Sequence, residues 1–337
     1  MVLPELPERF TARAATMADV EATTELVNAC SMADLGRATV EAAGIRNDWG
    51  SPYLNPQTNI HLVFDGDRLV GYAGAWIEPP AVSVYASGRV HPEAKALGIG
   101  TYLGAWLEAL VRESALKLAP EHARVVLHQE KLSTDIDSHA LLESLGYSPV
   151  RHGFRMLIEL ESEPPKPVFP EGIEMRSFNR PTQLRALVQA EKDIFRDHWG
   201  YVELDFEQDL QAWEHWLDND PHFDPAIWYL ALNGEGIAGV CLCNSHMPED
   251  PELAYVGSLG VQRAWRRQGL GLAMLHHAFG VLYRQGKKRV SLDVDAQSLT
   301  GASRLYERAG MHIQREGITY ELVVREGVDL STQALES

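Results

Sequence analysis

The residues best placed to do chemistry lie late in the chain. In Arg266-Arg267-Gln268-Gly269-Leu270-Gly271, two glycines stand at the head of a helical pattern in which Leu272, Leu275, Phe279 and Leu282 recur at three- and four-residue steps. Glycine permits backbone torsions that side chains forbid. It also lets a ligand approach the free N–H groups of the first helical turn, where the helix dipole favours an anion. A pyrophosphate is the natural guest; the alternative is a plain tight turn. A dinucleotide fingerprint would need a third glycine where Met274 stands, and an acid about 20 residues on, where Lys287, Lys288 and Arg289 stand instead. With Arg263, Arg266 and Arg267, these cations suit a ligand carrying an additional phosphate, or else a solvated helix end. The three cysteines, Cys30, Cys241 and Cys243, are too few for a disulfide framework and read as buried thiols.

The elements that must hold this turn occur twice. Lys95-Ala96-Leu97-Gly98-Ile99-Gly100 precedes a second helical stripe of Leu103, Leu107 and Leu110, widened by Trp106 and Val111. Both turns follow strand-like runs, ending in Val90 and Val261. Upstream of each lies a hairpin signal, one around Asp65-Gly66-Asp67 and one around Asn233-Gly234. Downstream, Ala140-Leu141-Leu142-Glu143-Ser144-Leu145-Gly146-Tyr147 matches Arg304-Leu305-Tyr306-Glu307-Arg308-Ala309-Gly310-Met311. Each half closes on a strand-like run, Phe154 to Leu160 and Ile318 to Val324. Pro164, Pro165, Pro167 and Pro170 exclude a helix or central strand between the halves and read as a short, stiff linker. The order predicts an α/β fold of two domains, each largely antiparallel with one parallel crossover. The expected spans are 1–162, a linker at 163–170, 171–326 and a loose tail at 327–337.

The strand–turn–helix with Arg-x-x-Gly-x-Gly, followed by a strand and Ala302-Ser303-Arg304-Leu305-Tyr306-Glu307-Arg308-Ala309-Gly310-Met311, resembles the GCN5-related N-acetyltransferase (GNAT) superfamily. The resemblance covers nearly the whole chain as two tandem copies, similar to bacterial tandem acetyltransferases of the mycothiol-synthase type. It implies two GNAT-like domains, each a mixed, mostly antiparallel sheet with a central splayed strand flanked by helices. It also implies acetyl-CoA as co-substrate, bound at the turn Arg266, Arg267, Gln268, Gly269, Leu270 and Gly271, with the backbone N–H groups from Gln268 to Gly271 holding its diphosphate. The pantetheine arm would pair with Leu259, Gly260 and Val261, where one N–H faces the thioester oxygen. Tyr306 would be the general acid for the leaving thiolate. The family often carries an Asn before the Ala302 segment; here Gln297 or Ser298 supplies the polar group.

An acyl transfer to an amine also needs a base. Some family members place a glutamate near the start of the central strand, close to Tyr255 here; Glu252 is the first candidate and His246 the second. The acceptor site is expected from His198-Trp199-Gly200; Asp293 and Asp295, which share one face of a strand, face either the acceptor pocket or solvent. Glu203, Asp205, Glu207 and Asp209 would attract a cationic amine, or form a solvated acidic face over Trp213, Trp216 and Trp228. In the first half Lys95 stands where Arg266 does, and Leu142, which cannot donate a proton, stands where Tyr306 does. That half is catalytically silent; it is either a structural partner or a second coenzyme site at Val90, Lys95, Gly98, Ile99 and Gly100.

The function expected is acetyl transfer from acetyl-CoA to the amine of a small molecule, without a metal. The alternatives are acetylation of an amino-sugar thiol precursor, or a CoA-binding sensor or scaffold without turnover. With 47 acidic against 30 basic residues, the net charge of −17 opposes nucleic-acid binding and anionic membranes. The N-terminus shows no secretory signal and no run is long enough to span a bilayer, so a cytoplasmic monomer or homodimer is expected.

Overall fold

In the computed structural model, which describes residues 3–234, 236–298 and 301–333, chain order and spatial grouping part company at two strands. The first compact unit runs to Arg151 and also takes Glu214–Asp220 and Gly317–Ser331. The second holds His152–Trp213, Pro221–Glu316 and the chain from Thr332 onward.

The elements of the first half are β1 (Phe10–Ala14), α1 (Val20–Leu35), α2 (Ala42–Trp49), α3 (Pro56–Asn59), β2 (Ile60–Asp65), β3 (Arg68–Trp76), β4 (Ser83–Val90), α4 (Ile99–Leu118), β5 (Val125–Leu132), α5 (Ile136–Ser144) and β6 (Ser148–Glu159). The second half repeats them as β7 (Glu174–Ser177), α6 (Arg180–Phe195), α7 (Phe206–Asn219), β8 (Trp228–Asn233), β9 (Gly236–Asn244), β10 (Leu253–Val261), α8 (Leu270–Arg284), β11 (Arg289–Asp295), α9 (Ala302–Arg308) and β12 (His312–Arg325). Residues 163–170 form neither helix nor strand. Among the described residues, no helix is long and apolar enough to cross a membrane.

Within the first unit the strand order is β1-β2-β3-β4-β5-β12, and within the second β7-β8-β9-β10-β11-β6. All pairs are antiparallel except β4 with β5 and β10 with β11. A helix connects each parallel pair, α4 in one unit and α8 in the other, as a crossover requires. The tandem, mixed α/β architecture is therefore as expected, but the boundary at 162 is not. The last strand of each half completes the sheet of the other unit: β6 pairs with β11, and β12 pairs with β5. A strand-like run marks a segment as a strand without naming its partner.

Each exchanged strand is fastened by an arginine–carboxylate group. In the first unit, Glu321 of β12 accepts from Arg124 Nη2 at 2.6 Å and lies 3.0 Å from His128 Nε2. In the second, Arg155 of β6 grips Asp293 of β11 through Nε at 2.5 Å and Nη2 at 2.7 Å. The tail is also more ordered than its composition implies. Val328 exchanges backbone bonds with His122 and Arg124, and Thr332 donates to Tyr201. Residues 334–337 lie outside the described residues.

Both parallel pairs are short. β4 and β5 pair from Ser83 opposite Val126 to Ala86 opposite Gln129, and β10 and β11 only from Leu253 opposite Arg289 to Tyr255 opposite Ser291. Beyond these points the strands splay into a wedge. In β10 a register shift against β9 between Val256 and Ser258 marks a bulge at Gly257.

Candidate active site

The wedge between β10 and β11 opens into a pocket of about 160 Å³. Its walls include Val256–Leu259 from one strand, Leu292–Asp295 from the other, His198 and Trp199 after α6, Ser298, and Tyr306 from α9. The expected central strand, acceptor residues and tyrosine thus meet in one place. Tyr306 is 6% exposed. Burial, with Cys241 nearby, pushes its hydroxyl up to about 12, so it stays protonated and able to donate. Ser298 Oγ accepts from the Ala302 N–H at 3.4 Å, tying the pocket wall to the start of α9.

The glycine turn sits at the end of β10. Gly269 is the N-cap of α8 with φ +86°, preceded by Arg267 at φ +62°. Such alternation turns successive N–H groups to one side and builds an anion nest. No side chain caps this helix, and a Cβ on Gly269 would meet only open space. The second glycine serves packing instead. A Cβ on Gly271 would press on Leu305 Cδ2 at 3.0 Å, so its absence lets α9 approach α8. Leu270 is buried, and the Gln268 side-chain amide donates to the Ala264 carbonyl at 2.9 Å. The backbone groups of this turn fit a diphosphate.

Arg266 does not act through its side chain as expected. Its guanidinium turns inward, donating to Val261 O at 3.0 Å, Asp197 at 2.5 Å and Ile194 O at 3.1 Å. Arg263 also grips Asp197, which is 3% exposed. The two arginines hold this carboxyl far below the usual range, with Arg263 the larger influence. Arg266 therefore staples the turn to the end of α6 and leaves phosphate contact to the backbone. Lys287 and Arg289 are elsewhere too. Lys287 Nζ donates to Pro251 O at 2.8 Å, and Arg289 pairs with Asp250 and Glu252 at the start of β10. That end of the strand is eight residues from Val261, roughly 26 Å at about 3.3 Å per residue.

The same ion pair removes Glu252 from the candidate bases. Its side chain is 53% exposed and lies 3.1 Å from Arg289, one residue before β10 begins, whereas the pocket starts at Val256. His246 stacks on His222, ring centroids 3.5 Å apart, and is not on the pocket wall. The acidic row is largely absorbed by α6: Glu207 pairs with Arg185 at 2.6 Å, and Lys192 reaches Glu203 at 3.2 Å and Asp209 at 3.9 Å.

Two residues of the site escape sequence reasoning. Arg155 enters through the exchanged strand, pairs with Asp293 and lies over the Tyr255 ring, 4.9 Å from its centroid. Tyr255 also donates to Asp293 at 3.1 Å. Glu191 of α6 accepts a 2.7 Å bond from the Ser258 hydroxyl. Neither can be found from local pattern, because each depends on which strand its element packs against. α6 lies over β10 so closely that a Cβ on Gly260 would collide with Ile194 Cγ2.

In the first unit the turn has the same backbone. Ala96 has φ +60°, Gly98 caps α4 at φ +84°, and no side chain caps that helix. Ile99 is fully buried, and a Cβ on Gly100 would meet Leu141 at 2.8 Å. The Val90 carbonyl accepts from Cys30 Sγ at 3.3 Å. Lys95 follows a single 3₁₀ turn, Pro92–Ala94. Leu142 is buried to 2% exposure. Across this wedge, Lys131 Nζ of β5 donates to Gly88 O of β4 at 3.1 Å, and Arg89 donates to the same carbonyl at 3.0 Å.

Comparison with known proteins identifies the family. The profile of the acetyltransferase (GNAT) family matches residues 185–311. A mycothiol acetyltransferase of Streptomyces scabiei is 31% identical over 77% of this chain and 77% of its own length. Another, of Geodermatophilus obscurus, is 30% identical over 87% and 91%. The crystal structure of a GCN5-related N-acetyltransferase from Sphaerobacter thermophilus superposes with a TM-score of 0.79 at 35% identity, covering 98% of this chain and 100% of that one. A tandem GNAT protein from the clavulanic acid biosynthesis pathway has a TM-score of 0.69 at 15% identity over 95% and 100%, a likeness of fold.

Proposed function

The chain belongs to the GCN5-related N-acetyltransferase (GNAT) family and is an acetyl-CoA-dependent acyltransferase; from there we propose that its second unit acetylates the amine of a small molecule by direct attack. One observation carries the reading: an uncapped anion nest at the head of α8 and the buried, protonated Tyr306 belong to one splayed strand pair, with Leu259 on the wall between the strands.

When bound, acetyl-CoA supplies a thioester whose acyl carbon is the electrophile. The backbone amides of Gln268, Gly269, Leu270 and Gly271 bind the diphosphate. The Leu259 N–H, freed from the ladder by the splay, stabilises negative charge on the acyl oxygen. Tyr306 delivers its proton to the departing sulfur, its hydroxyl kept protonated until then by burial. Asp293, already neutralised by Arg155, shapes the acceptor side without presenting a bare charge.

The names of the relatives favour an acceptor of the mycothiol type, an amino-sugar thiol precursor, as the finer form of this reading. The test is release of CoA from acetyl-CoA across a panel of primary amines that includes amino sugars, with Tyr306→Phe run beside the parent. Acetylation that falls about a hundredfold in the variant supports the assignment. Coenzyme binding with no amine acetylated would replace it with a sensor or scaffold.

A further inference from the structure

With Glu252 paired at the surface, the transfer lacks a proton acceptor, and β10 from Leu253 to Val261 contains no carboxylate. Of the two acids on the pocket wall, Asp293 is taken by Arg155 and Tyr255, and Asp295 accepts from the Gln297 N–H at 2.9 Å. The Tyr255 hydroxyl is itself a donor to Asp293. The remaining route leads through Ser258.

Ser258 and Gly260 are two residues apart on β10 and face α6; Glu191 and Ile194 are three apart on α6 and face β10. The missing side chain of Gly260 lets Ile194 seat against the strand, and that contact sets Glu191 over Ser258. The bulge at Gly257 separates this stretch from the regular ladder. Ser258 thus lines the pocket and donates its hydroxyl to a part-buried glutamate at 2.7 Å.

We propose that Ser258 takes the proton of the attacking amine while passing its own to Glu191, making Glu191 the proton sink of the transfer. The inference rests on the acetyltransferase reading. As the amine nitrogen forms its bond to the acyl carbon, the N–H proton moves to Ser258 Oγ and the hydroxyl proton moves to a Glu191 oxygen. The carbon–sulfur pair leaves with sulfur and is protonated by Tyr306. Glu191 then returns its proton to solvent and the Tyr306 phenolate takes one up, so these two cancel; the one proton released per amide is the one a protonated amine loses before it attacks.

The surroundings suit a proton sink. Burial raises Glu191 to about 7, against the lowering effect of the Ser258 bond, and Asp209 of α7 raises it further. Lys192, its neighbour on α6, is directed away to Leu204 O, Glu203 and Asp209. The rival on the same wall is His198, whose pKa is lowered by desolvation of the ring and then by Arg266.

The test compares pH–rate profiles of the parent, Glu191→Gln, Glu191→Asp, Ser258→Ala, Ser258→Thr and His198→Gln, each first shown to unfold cooperatively and to bind acetyl-CoA. Glu191→Gln should lower kcat by about a hundredfold or more and remove the rise of activity through neutral pH. Glu191→Asp and Ser258→Thr should restore part of both, and Ser258→Ala should not. Independently of turnover, infrared titration of the free protein should show a carboxyl near neutrality in the parent and none in Glu191→Gln. If the parent acetylates yet Glu191→Gln keeps its rate and acid limb, or if His198→Gln alone removes that limb, the relay is wrong and the acetyltransferase reading stands. If the parent acetylates no amine, that reading fails and the relay falls with it.

Discussion

The two wedges of this protein share a backbone plan and differ in what spans them. In the first unit Lys131 reaches across from β5 to the Gly88 carbonyl, and Arg89 occupies the same oxygen. In the second unit the gap is the pocket, walled by Leu259 on one side and Asp295 on the other. The turns below them are nearly superimposable in torsion, with positive φ at Ala96 and Gly98 in one and at Arg267 and Gly269 in the other. What separates the two clefts is therefore not the glycine turn. It is the side chain that bridges the strands, together with Leu142 in place of Tyr306. Burial brings Lys131 down to about 7, consistent with a side chain drawn into the wedge rather than left in water.

The largest test of this comparison is to cut the chain. Because β6 belongs to the second unit and β12 to the first, fragments 1–162 and 171–337 expressed alone should show no cooperative unfolding, whereas co-expression should restore a stable complex. Two independently folding fragments would contradict the exchange. Next in size is the tyrosine contrast. Adding Leu142→Tyr to a Tyr306→Phe background should recover none of the lost turnover, because the first wedge stays bridged.

A smaller effect is expected at the turn. Gly269→Ala forces a side chain into the left-handed region at a cost of about 1–2 kcal/mol, so KM for acetyl-CoA should rise several-fold with kcat little changed. Lys131→Met should remove the bridge from β5 to β4, leaving the Gly88 carbonyl to Arg89 alone, and raise the coenzyme bound per chain in native mass spectrometry, with kcat unmoved. Smallest is a pH effect confined to the first unit. The bond from His128, then that from Arg124, lowers Glu321 to about 2 from an ordinary 4.5. A lowered carboxylate stabilises the fold above its unfolded pKa, and that contribution disappears as pH falls from about 4.5 towards 2. Urea unfolding of Glu321→Gln should show a shallower loss of stability across that range than the parent.

These contrasts also mark how far the sequence can be read. The turns, the hairpins and the Tyr306 segment are local patterns, and they lead directly to the fold and to three sides of the pocket. Arg266 misleads because a cation beside an anion nest invites a phosphate contact; Asp197, remote in sequence, claims it instead. Glu252 misleads because proximity to a strand's start says nothing about which end faces the ligand. Glu191 lies hidden in an ordinary amphipathic helix, since its importance comes from sitting over Ser258. The strand exchange is invisible because a strand-like run does not name the strand it pairs with.

That exchange has an evolutionary consequence. A duplicated copy that loses its chemistry is normally free to decay or be deleted. Here the first half donates the edge strand that carries Arg155 to the second unit, and receives in return the strand that completes its own sheet. Selection on the fold of either half therefore acts on both.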